Sequence, residues 1–427
     1  MALPSILKRR PLACCIALLL AILTAQALLK RGSDWQDVFV RAGQQWWTGL
    51  DIYAAGSSYL YPPFQAMIAA PFAALPEWIS RLGWTATSSI CMIVMVAAAW
   101  RLAGGRPLRS MPFSARSEWL AFAVGLLCSL TYILNAFAHQ QTDVMIGALL
   151  MGGAWYLAAA RDAAGGALIG LAAAFKATPL LWAPYLLWRR RWIAAVLVGA
   201  VALAVNLLPE LIATPAGGPR ILQWVTRYVL PTQQLNVPLG NWGSALEFNQ
   251  ALGGTAQRLV NTRLELSSPH PTIIPRPVLT AQTLKLIVYA SFIVLIAVSV
   301  AAAMRARRAA TDAEALPQPM AFEFSMVLAL MLLMSPMSGR AHFGILILPA
   351  FCLARTAVAT RDRILGLILG IVAVLTMAAN KDLVGSFTSG ALLWLGTTTA
   401  CTFALWAGCV YVLCCGPRKQ SVPSLIN

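Results

Sequence analysis

Apolar positions along the chain come in long unbroken runs, and the short stretches between them are rich in arginine. The clear runs are 11–29, 82–100, 117–137, 142–160, 192–211, 281–303, 321–338, 342–358, 364–379 and 388–414. A helix needs roughly 20 such residues to cross a bilayer core. Lipid offers backbone groups no partners, so a chain built this way reads as an all-α polytopic membrane protein. Two regions depart from the pattern. The 61–76 stretch opens with Pro62-Pro63, and the 164–188 stretch is interrupted by Lys176-Ala177-Thr178-Pro179. Proline lacks a donor and clashes with the preceding turn, so each region predicts a broken or re-entrant segment.

Charge then sets orientation. Lys8-Arg9-Arg10 is placed in the cytoplasm, 61–76 dips in and returns, and 164–188 goes up and comes back. Arg101/Arg106/Arg109/Arg116, Arg161, Arg189-Arg190-Arg191, Arg305/Arg307/Arg308, Arg361/Arg363 and Arg418/Lys419 then fall on one side. This is what the excess of cations in cytoplasmic loops requires. The expectation is one integral membrane domain over 1–427 with both termini cytoplasmic. It would be a bundle of about 10–13 transmembrane or re-entrant helices. The run at 11–29 is long and opens a series of spans, so it reads as a retained helix rather than a cleaved signal peptide. The outer stretches are 30–60, 139–143, 212–280, 335–341 and 380–386. Nearly all polar, aromatic and acidic peculiarities collect there, which points to a site on the extracytoplasmic face.

Composition sharpens this picture. The 427 residues are 59% apolar and 11% charged, where globular domains carry about 25% charged residues. The net charge of +17 is accounted for by arginines at span ends, and no basic run is interleaved with aromatics outside the spans, so a nucleic-acid partner is not expected. All nine cysteines lie in or beside apolar runs. They have neither zinc spacing nor a loop pairing, and read as small core residues. No Walker loop, dinucleotide fingerprint, His-Glu-x-x-His or Gly-x-Ser-x-Gly occurs, so soluble nucleotide chemistry is unsupported.

Candidate chemistry gathers between Ser33 and Phe64, where Asp34, Asp37 and Asp51 stand in a chain with only 15 acidic residues. Ser33-Asp34-Trp35-Gln36 has the form of a capping box. Val38, Ala42 and Trp46 follow at helical spacing. They predict an interfacial helix in the first outer loop, with Trp46-Trp47 at headgroup depth. Two readings of Asp34 and Asp37 stand open: acids that offset the helix dipole, or a general base at the membrane surface. Asp51, after Gly49, reads as a turn residue. Tyr61-Pro62-Pro63-Phe64 is a stiff lead into the next segment. In Gln140-Gln141-Thr142-Asp143, capping by Thr142 or Asp143 is the plain account. A lysine at membrane depth is costly unless paired or wet, so Lys176 serves either a phosphate or an interior acid. Arg340 and His342 close the Ser335–His342 turn. They can hold a phosphate or shuttle a proton, or belong to a polar turn with a snorkelling arginine. Asn241-Trp242-Gly243-Ser244 alone is a weak turn signal.

Taken in order, these pieces resemble a known family. They are Asp34-Trp35 with Ala42-Gly43, Gly49 and Tyr53; Tyr61-Pro62-Pro63-Phe64; Gln140/Gln141; Gly166 and Gly170 before Lys176-x-x-Pro179; Gly240-Asn241-x-x-Ser244; and Ser335-Pro336 with His342. The chain resembles the GT-C glycosyltransferases of the polyprenyl-phosphate-mannose-dependent α-mannosyltransferase family, from about Asp34 to about Pro349. The resemblance implies a GT-C-like bundle in the inner (plasma) membrane. Its active site would be extracytoplasmic, under the interfacial helix. It implies inverting transfer of a hexose, mannose by analogy, from a polyprenyl-phosphate donor to a lipid or glycan acceptor, with no cofactor and no metal. The base falls on Asp34, with Asp37 as rival. Donor-phosphate or substrate contacts fall on Lys176, Arg340, His342, Gln140, Gln141, Asn241 and Tyr61. Two departures touch these contacts: Gln140-Gln141-Thr142-Asp143 replaces the family's usual Gly-Gln-x-Asn, and Gly339-Arg340 stands where an aromatic often precedes the histidine. A transporter or flippase of lipid-linked sugars is the alternative. It would share the spans without needing an acidic, aromatic loop on one face.

Overall fold

The computed structural model describes residues 32–112, 114–213, 218–239, 247–265, 271–308 and 319–416, with a few positions between 21 and 29. In chain order, a π-helical turn Trp35–Val40 leads into α1 (Arg41–Trp47), and α2 (Pro63–Ala69) runs into a 3-10 turn, Ala70–Ala74. Then come α3 (Glu77–Leu102), α4 (Arg116–Ala138), α5 (Asp143–Ala158) and α6 (Asp162–Phe175). A 3-10 turn, Thr178–Leu181, leads to α7 (Trp182–Trp188), followed by α8 (Trp192–Ile212). The long outer loop holds α9 (Arg220–Trp224), α10 (Leu230–Gln233), α11 (Leu252–Asn261) and strands β1 (Thr262–Glu265) and β2 (Thr272–Pro275). The chain continues with α12 (Ala281–Arg308), α13 (Pro319–Leu333), a 3-10 turn Arg340–Leu346 and α14 (Ile347–Thr360). It ends with α15 (Arg363–Ala378), α16 (Lys381–Trp394) and α17 (Thr397–Cys415).

The all-α polytopic expectation holds. Among the described residues six helices are long and apolar enough to cross a membrane, and α15 and α16 form a further pair bent by 93°. Both broken regions break where the prolines demand. The helix after Pro62 is only seven residues long, and α6 ends at Phe175 with Lys176 in extended conformation. The apolar run 388–414 is not one span. Gly396, at φ +79°, ends α16 and starts α17, a conformation glycine adopts without a Cβ penalty. The β1–β2 hairpin pairs antiparallel with Thr262 opposite Pro275, in a loop where no strand was expected. The run 11–29, with Lys8-Arg9-Arg10 before it and Arg418/Lys419 at the other terminus, lies essentially outside the described residues.

Packing follows from side-chain size. Every residue of α13 from Ala321 to Leu333 is buried, as suits a helix apolar all round. Helices α6 and α8 meet backbone to backbone. A Cβ on Gly166 would stand 2.5 Å from the Ala194 carbonyl oxygen, and one on Gly170 2.8 Å from that of Leu197. Small residues permit this approach where lipid gives helices no hydrophobic drive to associate. Gly43 likewise seats α1 on the turn after α2, 2.6 Å from the Ala70 nitrogen.

Several arginines of the basic loops are held by local pairs. Arg191 pairs with Asp162 at 3.3 Å, Arg189 with Glu323 at 3.2 Å and Arg106 with Glu118 at 3.0 Å. Arg305 donates to the Cys414 carbonyl at 2.7 Å.

Candidate functional site

The site begins where the first outer loop meets the α4–α5 corner. The helix there opens in π turns, whose wider winding moves the reciprocal capping partner by one residue. The Gln36 amide donates to Ser33 Oγ at 3.4 Å. The Ser33 amide is bound not by Gln36 but by the Asp37 carboxylate, at 3.0 Å. Asp37 is exposed and sits in a shallow cleft with Arg41 and Gln45. Asp34 is half-buried and turns inward. Gln141 Nε2 donates to its carboxylate at 2.8 Å, and its amide donates to the His139 carbonyl at 3.1 Å. The structure thus separates two aspartates that the sequence left as equals. Asp51 is a turn residue: its carboxylate accepts from the Tyr53 amide at 2.8 Å and pairs with Arg227 at 3.0 Å.

Trp46 was expected at headgroup depth. It is 2% exposed, in a core with Trp35, Phe39 and Tyr59, while Trp47 is 69% exposed. Gln140, expected to touch substrate, has a different task. It stands at φ +52° and accepts from Ser33 Oγ and Arg81 Nε. It also donates to Thr85 Oγ1 at 3.0 Å and accepts on its carbonyl from Trp84 Nε1 at 3.0 Å. These bonds lock the corner and leave Gln140 only 3% exposed. Thr142 does not cap α5; its hydroxyl accepts from Gln65 Nε2 at 3.2 Å.

A buried charge cluster lies beside this corner. Asp143 Oδ1 stands 3.2 Å from Lys176 Nζ and 3.7 Å from His342 Nε2. The Gly339 amide donates to His342 Nδ1 at 3.1 Å. That nitrogen is therefore an acceptor, and the neutral ring carries its proton on Nε2, toward Asp143. Lys176 has the interior acid that one reading required, and it also lines a cavity. Sequence reasoning treated Asp143 only as a cap. Its neighbour Lys176, a cation inside an apolar hairpin, was the signal that an acid had to be near.

The cavity has a volume of about 340 Å³ and is walled by Tyr61 and Pro62, by Lys176 and Thr178, by Trp224, Tyr228 and Thr232, and by the Ser335–Met337 turn. Its walls are fixed from outside. Asn206 Oδ1 accepts from the Phe64 amide at 3.1 Å, and its Nδ2 donates to the Ala174 carbonyl at 3.1 Å. One buried amide thereby satisfies an open end of both broken helices, on either side of Tyr61 and Lys176. Lys285 holds the α10 wall by donating to the carbonyls of Thr232 at 2.6 Å and Gln234 at 2.7 Å. Burial pushes the Tyr61 hydroxyl's pKa up, and the charges of Asp143 and Asp34 add to the shift. Below this cavity, sharing Leu181 with it, a second one of about 280 Å³ runs between α7, α12 and α13. Its lining is apolar down to Tyr185 and Glu323.

Arg340 stands apart from the cluster. It lies near Tyr132 and Asp382 and lines neither cavity. A 3-10 turn starts at Arg340, which sends its side chain and that of His342 to different faces. Asn241 lies outside the described residues. Sequence reasoning missed Asn206, Trp224, Tyr228 and Thr232, none of which lies in a motif, and it took Asp143, at the end of Gln140-Gln141-Thr142-Asp143, only as a cap.

Apolar spans, two broken segments and a buried charge cluster beside a cavity define a multi-span membrane protein with a polar site. The profile of glycosyltransferase family 87 matches residues 59–336. The chain belongs to glycosyltransferase family 87. That match holds Tyr61, Asp143 and Lys176, begins after Asp34 and ends before Arg340 and His342. The chain is 27% identical over 238 residues to the polyprenol-phosphate-mannose-dependent alpha-(1-2)-phosphatidylinositol mannoside mannosyltransferase of Mycolicibacterium smegmatis, covering 52% of this chain and 51% of that protein. It is 28% identical over 153 residues to a pentamannoside mannosyltransferase of the same dependence from Mycobacterium tuberculosis, covering 35% of this chain and 33% of that protein. The chain thus spans about half, or less, of the length of the curated relatives it matches. A solved structure, ArnT from Cupriavidus metallidurans bound to undecaprenyl phosphate, superposes with a TM-score of 0.45 at 13% identity over 95% of this chain and 77% of that one.

Proposed function

We propose that the protein is an inverting hexosyltransferase that moves mannose from a polyprenyl-phosphate donor to a hydroxyl of a lipid or glycan, on the extracytoplasmic face of the plasma membrane. The observation that carries this reading is the cavity at Tyr61 and Lys176, with an apolar furrow beside it that shares Leu181 in its lining. A phosphate seats beside the lysine, and its isoprenoid chain lies along α7 and α13. The printed specificity of the two mycobacterial relatives supports the donor class. The arginines clustered in alternate loops of the sequence support the sidedness.

The acceptor oxygen attacks the anomeric carbon while the bond from that carbon to the phosphate oxygen breaks. The bonding pair leaves with the polyprenyl phosphate, and the acceptor proton passes to a carboxylate. A single displacement of this kind requires one base. Asp34 is assigned that role. It faces inward, Gln141 orients it, and it is near enough to Tyr61 to raise the pKa of that hydroxyl. Asp143 is a poorer base because Lys176 already stabilises its charge at 3.2 Å. Lys176 offsets the charge gathering on the leaving phosphate.

The test is sugar transfer from polyprenyl-phosphate mannose to bacterial lipid extract, using protein purified in detergent. Asp34→Asn should lose roughly 10²–10⁴-fold in rate, while Asp37→Asn keeps wild-type transfer. Full activity in folded Asp34→Asn refutes the assignment, and a wild type that transfers nothing refutes the function.

A further inference from the structure

The long outer loop reaches back to the cavity through two consecutive residues. Asn249 and Gln250 are both fully buried, just before α11. Asn249 Oδ1 accepts from the Ser338 amide at 3.2 Å, and its Nδ2 donates to the Pro336 carbonyl at 3.3 Å. The Gln250 amide donates to the Ser338 carbonyl at 2.7 Å. These bonds hold the Ser335–Gly339 turn. Ser335, Pro336 and Met337 wall the cavity, and Ser338 lies in the small recess with Asp143, Lys176 and His342.

The pair is itself anchored. Arg258, fully buried, donates to the Asn249 carbonyl. Gln250 Nε2 donates to the Leu393 carbonyl at 2.8 Å, and the Gln250 carbonyl accepts from Thr399 Oγ1 at 2.7 Å. Gly254 leaves the room Asn249 needs, since a Cβ there would stand 2.6 Å from Asn249 Cγ. The path runs from the α16–α17 corner, through a buried dipeptide, to the turn that presents His342.

The geometry points to Asn249 and Gln250 as positioning residues that fix the Ser335–Gly339 turn, and through it the donor-phosphate end of the cavity. Neither lines the cavity. Their effect passes through the turn, and the inference rests on the proposed function for its kinetic consequence. A turn displaced by an ångström at a phosphate site can cost up to about 100-fold in turnover efficiency. Here the loss should fall on donor KM, because the acceptor base comes from the other side of the site.

Two measurements on the full chain in detergent test this. Hydrogen–deuterium exchange over residues 335–342 reads the turn without turnover. Exchange should be roughly tenfold faster in Asn249→Leu, which removes the acceptor of the Ser338 amide. Asn249→Asp keeps an acceptor for that amide, and the adjacent Arg258 compensates its charge, so slow exchange returns. Donor KM should rise about tenfold in Asn249→Leu with kcat changed less than about threefold, and Asn249→Asp should recover most of the affinity. Unchanged exchange in Asn249→Leu overturns the proposal. So does fast exchange with unchanged donor KM, which makes the pair scaffold alone. A wild type that transfers no sugar overturns the functional reading instead, and exchange then judges the pair by itself.

Discussion

The Asp143–Lys176 pair can be asked directly whether it serves the fold or the reaction. The two side chains are 7% and 14% exposed and stand 3.2 Å apart. Lys176→Met removes one charge and keeps the stem, leaving a buried carboxylate whose remaining polar neighbour in the cluster is the neutral His342 ring, at 3.7 Å. Breaking a buried pair from one side costs about 3–5 kcal/mol. Asp143→Leu, which strands the lysine, should cost a similar amount. Lys176→Met/Asp143→Leu strands neither, and apolar replacement of both partners is often near neutral. The singles should therefore melt well below wild type in detergent, and the double variant should recover most of the loss. The coupling, the double variant's cost less the sum of the two singles, should be about 5 kcal/mol or more in magnitude, above the usual range for residues in contact. Sugar transfer should not follow stability: with Lys176 gone, the single and the double variant both lose donor affinity. A double variant that regains both stability and transfer would show that Lys176 only neutralises Asp143, and would remove it from the phosphate site.

Further outcomes are expected. Gly166→Val should destabilise by about 1–3 kcal/mol in detergent melting, because its Cβ falls 2.5 Å from the Ala194 carbonyl oxygen; a neutral result would mean that α6 and α8 can part freely. Asn206→Leu leaves the Phe64 amide and the Ala174 carbonyl without their partner. At about 1–3 kcal/mol for each buried group, it should melt early and lose donor affinity, and an unshifted melt counts against its role as a staple. Cysteines placed at Pro336 and Arg190 should react with an impermeant maleimide from opposite sides of the membrane. Pro336 is exposed whereas Ser338 is 1% exposed, so the reporter belongs at Pro336; labelling from one side would sink the orientation.

The bundle was legible because its cause is local. A run of apolar residues can cross lipid in few ways, and Pro62-Pro63 and Pro179 break helices wherever they stand. Lys176 was legible as a problem, a charge in an apolar hairpin, but not as a solution. Its partner Asp143 lies on another helix, and nothing in the chain marks which acid will fold beside it. Gln140 misled because a glutamine at a helix start looks alike whether it faces a ligand or four side chains. Trp46 misled through periodicity, which finds the apolar face of a helix but not whether protein or headgroups cover it. Gly396 was hidden in an apolar run because a left-handed residue leaves no mark on hydropathy. Arg340 and His342 read as one site because they are two residues apart, and the 3-10 turn gives them different faces.

The furrow between α7, α12 and α13 alters what concentration means for this protein. It shares Leu181 with the upper cavity, and under the proposed function a lipid-borne donor would reach Lys176 sideways, without leaving the bilayer. Such a substrate is diluted by other lipids rather than by water. Its apparent KM should follow its mole fraction in the micelle or vesicle, and adding detergent at constant total donor should inhibit transfer as though substrate had been withdrawn.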